Sequence, residues 1–435
     1  MSRVKTSRAG WLFGLLAILS LSERMSCLEH QFGGEDPFQR ASNFVRRPAA
    51  SAETPNFLSP FDWPKGVGGF NIIRKNSCKV SPFKYQAGHE TPPCDQGGDS
   101  PLEPSRAAPR GQPRGIFAAR QQPADLSPFF AKRQVTIAVT DSGLGGLSIM
   151  AEAAARLKEA KIFEKADLVF FNALFSNESG YNSLKTRVEK IVVFDSALES
   201  LEKNYRPDLI LIGCNTLSVL YPETFFSKRT KIPVVGIVDA GVGMSLIALK
   251  ANPAASLILF GTETTIGEGE HKRKLMEAGI PEKKIIAQAC PELAGYIENG
   301  YQSDETDLLI ESVVDEALVK LADPKVPIYA GLVCTHYGYS MPLWTKAFEE
   351  RGQKLEGILN PNSRMLDFLF MPRDKNRART TEISARVVSM VEIAENKRQS
   401  LGGWLGKVSS EVASALTKYE LKPDLFKWQD PRRSF

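Results

Sequence analysis

Gln134-Val135-Thr136-Ile137-Ala138-Val139-Thr140-Asp141-Ser142-Gly143-Leu144-Gly145-Gly146-Leu147-Ser148 is the stretch from which the rest of the chain can be read. The β-branched run Val135–Thr140 predicts a strand, and the glycines after it predict a tight turn. The apolar period of Leu147–Ala160 predicts a helix. Downstream, further strand candidates are Leu168–Asn172, Leu209–Gly213, Val234–Val238, Ser256–Phe260, Lys284–Ala287, Val326–Val333 and Lys354–Ile358. Helical patterns lie between them at Ser183–Lys203, Val242–Leu249, Glu270–Ala278, Leu308–Leu321 and Thr381–Asn396. Such alternation predicts an α/β fold, its mainly parallel sheets covered by helices on both faces. Ligands in these folds collect beyond the carboxyl ends of the strands. The apolar segment Met365–Phe370 and the Thr381–Asn396 helix read as core and cover elements, and Leu401–Leu421 as one more amphipathic helix.

Upstream of residue 134 the chain changes character. Fourteen of its 27 prolines lie there. Residues 1–133 carry 18 Lys and Arg against 11 Asp and Glu, whereas the remainder carries 37 against 39. The basic excess therefore belongs to the N-terminal third, and the near-neutral remainder gives no reason to expect a nucleic-acid partner. Residues 27–133 read as mostly unstructured, because Pro, Gly, Gln and Arg without apolar period cannot offset ordering entropy. Within residues 1–25, Arg3, Lys5 and Arg8 precede the apolar run Trp11–Leu21, the layout of a signal peptide, although no clear cleavage site follows. Export and an extension that is not part of the working protein both stay open.

The 435 residues, 43% apolar and 24% charged, suit two or three globular domains. No apolar run reaches the length of a membrane span. Of six cysteines, Cys27, Cys78 and Cys94 lie in the extension and Cys214, Cys290 and Cys334 in the body. None forms a CxxC pair, which argues against a zinc ribbon or a dithiol redox motif and for a body that works in a reducing cytoplasm.

Four strand ends carry chemistry: Asp141-Ser142-Gly143, Cys214-Asn215-Thr216, Gly261-Thr262-Glu263-Thr264-Thr265 and Cys334-Thr335-His336. Two of them echo each other 120 positions apart, strand then Cys then Thr, which predicts two related α/β lobes each offering one cysteine. A cysteine that opens a helix is expected to favour the thiolate. Two such groups on opposite sides of a cleft suit proton removal from one face of a carbon and delivery to the other. His336 is a candidate acid/base partner for Cys334. Ser142, Asn215, Thr216, Thr262, Thr265 and Thr335 could give a ligand neutral hydrogen bonds. The Asp141–Gly146 turn lacks the third glycine of a dinucleotide fingerprint, but a glycine turn before a helix suits a small carboxylate. Besides His336 the body holds only His271, which leaves a histidine-based metal site without ligands. Cys290, just outside this pattern, reads as a core residue.

Taken together, Asp141-Ser142-Gly143-Leu144-Gly145-Gly146-Leu147-Ser148, Cys214-Asn215-Thr216-x-Ser218 and Cys334-Thr335-His336-Tyr337 resemble the signature segments of glutamate racemase, in the cofactor-independent aspartate/glutamate racemase superfamily. Gly261-Thr262…Thr265 and Cys290-Pro291…Ile297-Glu298-Asn299-Gly300 fit the same order, and the resemblance spans roughly residues 134–370. It implies two pseudo-symmetric lobes with an interlobe cleft: residues 134–235 completed by a return near 345–400, and residues 236–344, with a C-terminal helical tail at 401–435. Cys214 and Cys334 would be the two bases, Asp141 assisting the first, His336 and Glu298 the second. Ser142, Gly180, Asn215, Thr216, Thr262, Thr265 and Thr335 would hold a small acidic amino acid. Neither pyridoxal nor a metal would be required, a homodimer is common in the family, and in bacteria the D-glutamate product feeds peptidoglycan and so the cell wall.

The chain departs from that pattern in its loops. Glu178-Ser179-Gly180 stands where Pro-Tyr-Gly is usual, Ala173 where an Asp is common, and Glu268 and His271 where Ser and Tyr are expected. These changes bear on substrate identity more than on reaction type. Aspartate or hydantoin racemisation, and ligand binding without turnover, are the alternatives.

Overall fold

The structure, a computed structural model, describes residues 125–177 and 180–428. The signal-like segment 1–25, most of the basic extension, its three cysteines and the pair Glu178-Ser179 lie outside the described residues.

Among the described residues ten strands form two sheets in which every pairing is parallel. In chain order they are β1 (Gln134–Asp141), β2 (Lys165–Asn172), β3 (Leu209–Ile212), β4 (Val234–Gly236), β5 (Ser256–Gly261), β6 (Ile285–Ala289), β7 (Ile328–Val333), β8 (Leu355–Leu359), β9 (Glu382–Ser389) and β10 (Glu420–Leu421). The first sheet runs β10-β9-β2-β1-β3-β4 and the second β6-β5-β7-β8. The order β2-β1-β3-β4 therefore recurs as β6-β5-β7-β8. In each sheet the chain leaves its first strand to one side and returns on the other, which makes a switch point at the carboxyl ends. Asp141 and Cys214 end one such pair of strands, Gly261 and Cys334 the other.

The central strands are buried on both faces, which is why they read as unbroken apolar runs. Ile137, Ala138 and Val139 of β1 and Leu209–Ile212 of β3 are fully buried. The helix Leu147–Ala160 packs between the sheets, so that one buried cluster runs from Ile137 and Leu147 to Ile258, Phe260 and Trp344. The helix Arg187–Tyr205 begins four residues later than its apolar pattern, because Thr186 and Glu189 form a reciprocal capping box. Among the described residues no helix is long and apolar enough to cross a membrane.

Three expectations need correction. Thr381–Asn396 is not a helix: Glu382–Ser389 is β9, paired in register with β2 from Lys165↔Glu382 to Asn172↔Ser389. Ile383, Ala385 and Val387 alternate with Glu382, Ser384 and Arg386, a period of two that also mimics i,i+4 spacing. The single helix expected over Leu401–Leu421 is two, Glu395–Leu405 and Ser410–Thr417, broken where Ser409 caps the second by accepting from the Val412 amide, and followed by β10. The segment after 400 is thus not an appended tail, since β10 pairs with β9. The segment 345–400 does not belong wholly to the first lobe either, because β8 joins the second sheet beside β7.

The ordered body also starts before residue 134. Ser127–Phe130 forms a helical turn, and the buried Phe129 packs edge-on against Phe163, centroids 5.2 Å apart. Phe129→Ala should cost about 3 kcal/mol of stability, read from the denaturant midpoint of the full chain. An unchanged midpoint would mean that this turn does not belong to the body.

Candidate active site

The carboxyl end of β1 places Asp141 1% exposed, between the two lobes. Its Oδ1 accepts from the Ser142 amide at 2.7 Å, and its Oδ2 from the Thr335 hydroxyl of the second lobe at 2.8 Å. Burial raises its carboxyl pKa, against the pull of His336, Thr335 and the Ser142 amide.

Cys214 ends β3 and caps the helix Asn215–Leu220. Its Sγ lies 3.4 Å from the Leu217 amide and 3.1 Å from the Ser142 Oγ. The helix start was expected to favour a thiolate here. The amide contact exists, but burial and then the Asp141 charge outweigh it and push the thiol well up. Cys214 thus rests as a thiol.

Cys334 ends β7 and opens a 3-10 turn, Thr335–Ser340, rather than an α-helix. Its Sγ lies 3.7 Å from His336 Nδ1, and His336 Nε2 lies 2.8 Å from Glu298 Oε1. Burial alone would strip the proton from His336. Its hydrogen bonds to Cys334 and Glu298 prevail and hold the imidazole pKa well above the ordinary histidine value. Burial opposes ionisation of Glu298 too, but His336 and Lys397 hold its carboxyl at about 2. The Leu144 amide donates to the same Oε1 at 2.9 Å, and Lys397 Nζ to Oε2 at 2.8 Å.

The glycines of the Asp141–Gly146 turn serve close approach rather than an open anion cradle. A Cβ on Gly145 would sit 2.3 Å from Thr335 Oγ1 and 2.8 Å from the His336 amide nitrogen, and one on Gly143 3.1 Å from Glu298 Oε1. The Leu144 amide, free in a carboxylate cradle, is engaged by Glu298. Tyr339 donates to the Leu144 carbonyl at 3.2 Å.

Thr216, Thr262 and Thr265 come together, their hydroxyl oxygens 2.9–3.3 Å apart. The Asn215 side chain is 3% exposed, and neither its oxygen nor its nitrogen has a partner among the described residues. Such an amide is equipped to meet a ligand. Gly180 stands apart from this group: among the described residues only Leu174 comes within 4 Å of where its Cβ would be. Cys290 is a core residue whose Sγ lies 3.7 Å from the Gln288 carbonyl.

Three further residues carried no sequence signal. Tyr181 is buried, its hydroxyl has no partner among the described residues, and burial chiefly raises its phenol. Asn362 Nδ2 donates to the Thr335 carbonyl at 2.9 Å and to Ser148 Oγ at 3.0 Å, fixing the Cys334 turn. Lys397, one residue beyond the segment read as cover, reaches Glu298. Of the loop departures, Glu268 is neutralised by an ion pair with Arg187, and His271 is buried and neutral, lowered to about 4 chiefly by burial.

Over 205 residues the sequence is 30% identical to glutamate racemase 3 of Caldanaerobacter subterraneus, covering 47% of this chain and 67% of that protein. The chain belongs to the glutamate racemase family. It is an amino-acid racemase and so an isomerase. It is also 26% identical over 234 residues to a glutamate racemase of Clostridium botulinum, covering 54% of this chain and 83% of the relative. The crystal structure of a glutamate racemase isoform from Bacillus anthracis shares the fold, with a TM-score of 0.50 and 21% identity over 67% of this chain and 99% of that one. No protein-family model matches the sequence.

The Glu298 environment sets a pH dependence that a racemase assay is not needed to see. Its folded pKa of about 2 lies below the ordinary 4.5, so its contribution is fully present above 4.5 and is lost as pH falls toward 2. The stability gap between wild type and Glu298→Gln should therefore shrink by roughly 3 kcal/mol across that window. Urea denaturation from about pH 6 to about pH 3 covers most of it, and a gap that stays constant would contradict this reading of the carboxylate.

Proposed function

We propose that the chain interconverts L- and D-glutamate by passing the Cα proton between Cys214 and Cys334 on opposite faces of the substrate. One observation carries the proposal: the two cysteines end corresponding strands, β3 and β7, yet keep unlike company. Cys334 has a protonated imidazole beside it and Cys214 rests as a thiol, so the ligand-free protein supports one base and one acid.

In one direction the Cys334 thiolate takes the Cα proton. An S–H bond forms as the C–H electron pair moves into the α-carboxylate. The Cys214 thiol then gives its proton to the other face of the carbon. In the reverse direction the two sulfurs exchange roles. Asp141, whose raised pKa suits a proton carrier, and His336 return the pair to its resting state. Ser142, Asn215, Thr216, Thr262, Thr265 and Thr335 offer neutral hydrogen bonds to the carboxylates and amino group, and the unpartnered amide of Asn215 is the strongest of these supports. The D-glutamate formed would supply peptidoglycan, as the family resemblance implies for bacteria.

The test is proton NMR of the full chain in D2O with each enantiomer of glutamate in turn. Deuterium should enter at Cα with loss of optical purity from both sides. Cys214→Ser and Cys334→Ser should each lower racemisation by about 100- to 10,000-fold. Full activity in either variant would overturn the two-thiol scheme, and exchange with aspartate or a cyclic substrate but not glutamate would overturn the substrate assignment.

A further inference from the structure

We propose that Lys397 is a positioning residue for the Cys334 side of the site, holding Glu298 as the anion that orients His336. The inference rests on the two-thiol reading above and adds a residue that neither the sequence nor the family resemblance singled out. Four groups stand in line. Lys397 Nζ is 2.8 Å from Glu298 Oε2, Glu298 Oε1 is 2.8 Å from His336 Nε2, and His336 Nδ1 is 3.7 Å from Cys334 Sγ.

The two carboxylate oxygens divide the work. Oε1 serves His336 and the Leu144 amide, whereas Oε2 accepts from Lys397. A buried carboxylate with one oxygen unpaired is costly, and protonation is the cheapest relief. A proton on Glu298 would remove the negative charge that keeps His336 protonated beside Cys334. Lys397 therefore acts on the sulfur through two intermediates and touches no reacting atom.

The geometry around it is specific. Lys397 lies on the helix Glu395–Leu405, which follows β9 of the first sheet, while Glu298 lies on the helix Leu293–Asn299, which follows β6 of the second. The adjacent pair Asn396–Asn299 is hydrogen bonded at 3.0 Å, so the two helices are pinned by neighbouring residues on each. The Lys397 side chain is about a third exposed, and its charged end reaches inward to a carboxylate that is 10% exposed. The other titratable groups around Glu298 are His336 and Tyr339 on the Cys334 turn and Asp141 at the end of β1. Beside Lys397 on its own helix, Glu395 and Arg398 pair with each other. Lys397 is thus the cation that the first lobe brings to this carboxylate.

The experiment compares the full-length wild type with Lys397→Gln, Lys397→Met and Lys397→Arg. Removing the ammonium should raise the Glu298 carboxyl from about 2 by about 1 to 3 pH units. The deficit in kcat/KM should then grow as the pH is lowered, equally for both enantiomers, because their equilibrium constant is one. It should be small near pH 8, reach about twofold where the pH meets the raised carboxyl value and about tenfold one unit below it, and Lys397→Arg should restore the wild-type profile. NMR titration of the His336 ring, assigned with a His336→Gln control, reads the same coupling without turnover, and its pKa should shift in the Gln and Met variants and stay at the wild-type value in Lys397→Arg. Superimposable pH profiles together with an unchanged ring titration would overturn the inference and leave the two-thiol reading standing. A wild type without Cα exchange on any amino acid would instead overturn that reading, while the ring titration would still decide whether Lys397 governs His336.

Discussion

A carboxylate buried at the end of β1 joins the two halves of the molecule. Asp141 takes one hydrogen bond from its own turn and one from Thr335 of the second sheet. Around it the glycine turn lies so close to the Thr335–His336 backbone that a methyl group at Gly145 has no room. Asn362 and Tyr339 tie the same two segments from behind. Parallel sheets alone would set the cysteines at their carboxyl ends but would leave the two ends free to separate. It is the packed polar seam that makes one site of two lobes.

Within that seam the two thiols are not equivalent. Cys214 is surrounded by a hydroxyl, a backbone amide and a carboxylate whose charge opposes its own ionisation. Cys334 lies beside an imidazole held protonated against burial by its hydrogen bonds to Cys334 and Glu298. A helix N-terminus, the feature that draws the eye in the sequence, supplies a single 3.4 Å amide contact at Cys214 and is absent at Cys334. Desolvation and neighbouring full charges decide the proton positions, and the helix start is a minor influence.

Much of this was legible in the sequence, for a physical reason. Strands buried on both faces leave dense β-branched runs, so Val135–Thr140, Leu209–Gly213 and Ser256–Phe260 announce themselves, and the residues after them inherit a place at the strand ends. β9 escaped because it lies near the sheet's edge, where half-exposed alternation of Ile383, Ala385 and Val387 also satisfies a helical period. The helix break at Ser409 depends on a side-chain cap that resembles any other serine in a polar stretch. Asp141, Cys214, Cys334 and His336 stood out because their motifs are contiguous. Tyr181 did not, because its burial shows only in the fold, and Asn362 and Lys397 did not, because each acquires its meaning only from a partner elsewhere in the chain: Lys397 meets Glu298 across 99 positions. The basis for Gly180 was a family loop alone, and no contact ties it to the other residues.

The repeated strand order has a consequence for how such a molecule can change over time. β1–β4 and β5–β8 follow one plan, so a substitution in either has a structural counterpart in the other. β9, β10 and the helix between them that carries Lys397 occur once. If Lys397 acts on Cys334 as proposed, variation in that single-copy segment would retune one thiol while its twin stays as it was, which would make the least conspicuous stretch of the chain the one where the two half-sites are free to evolve apart.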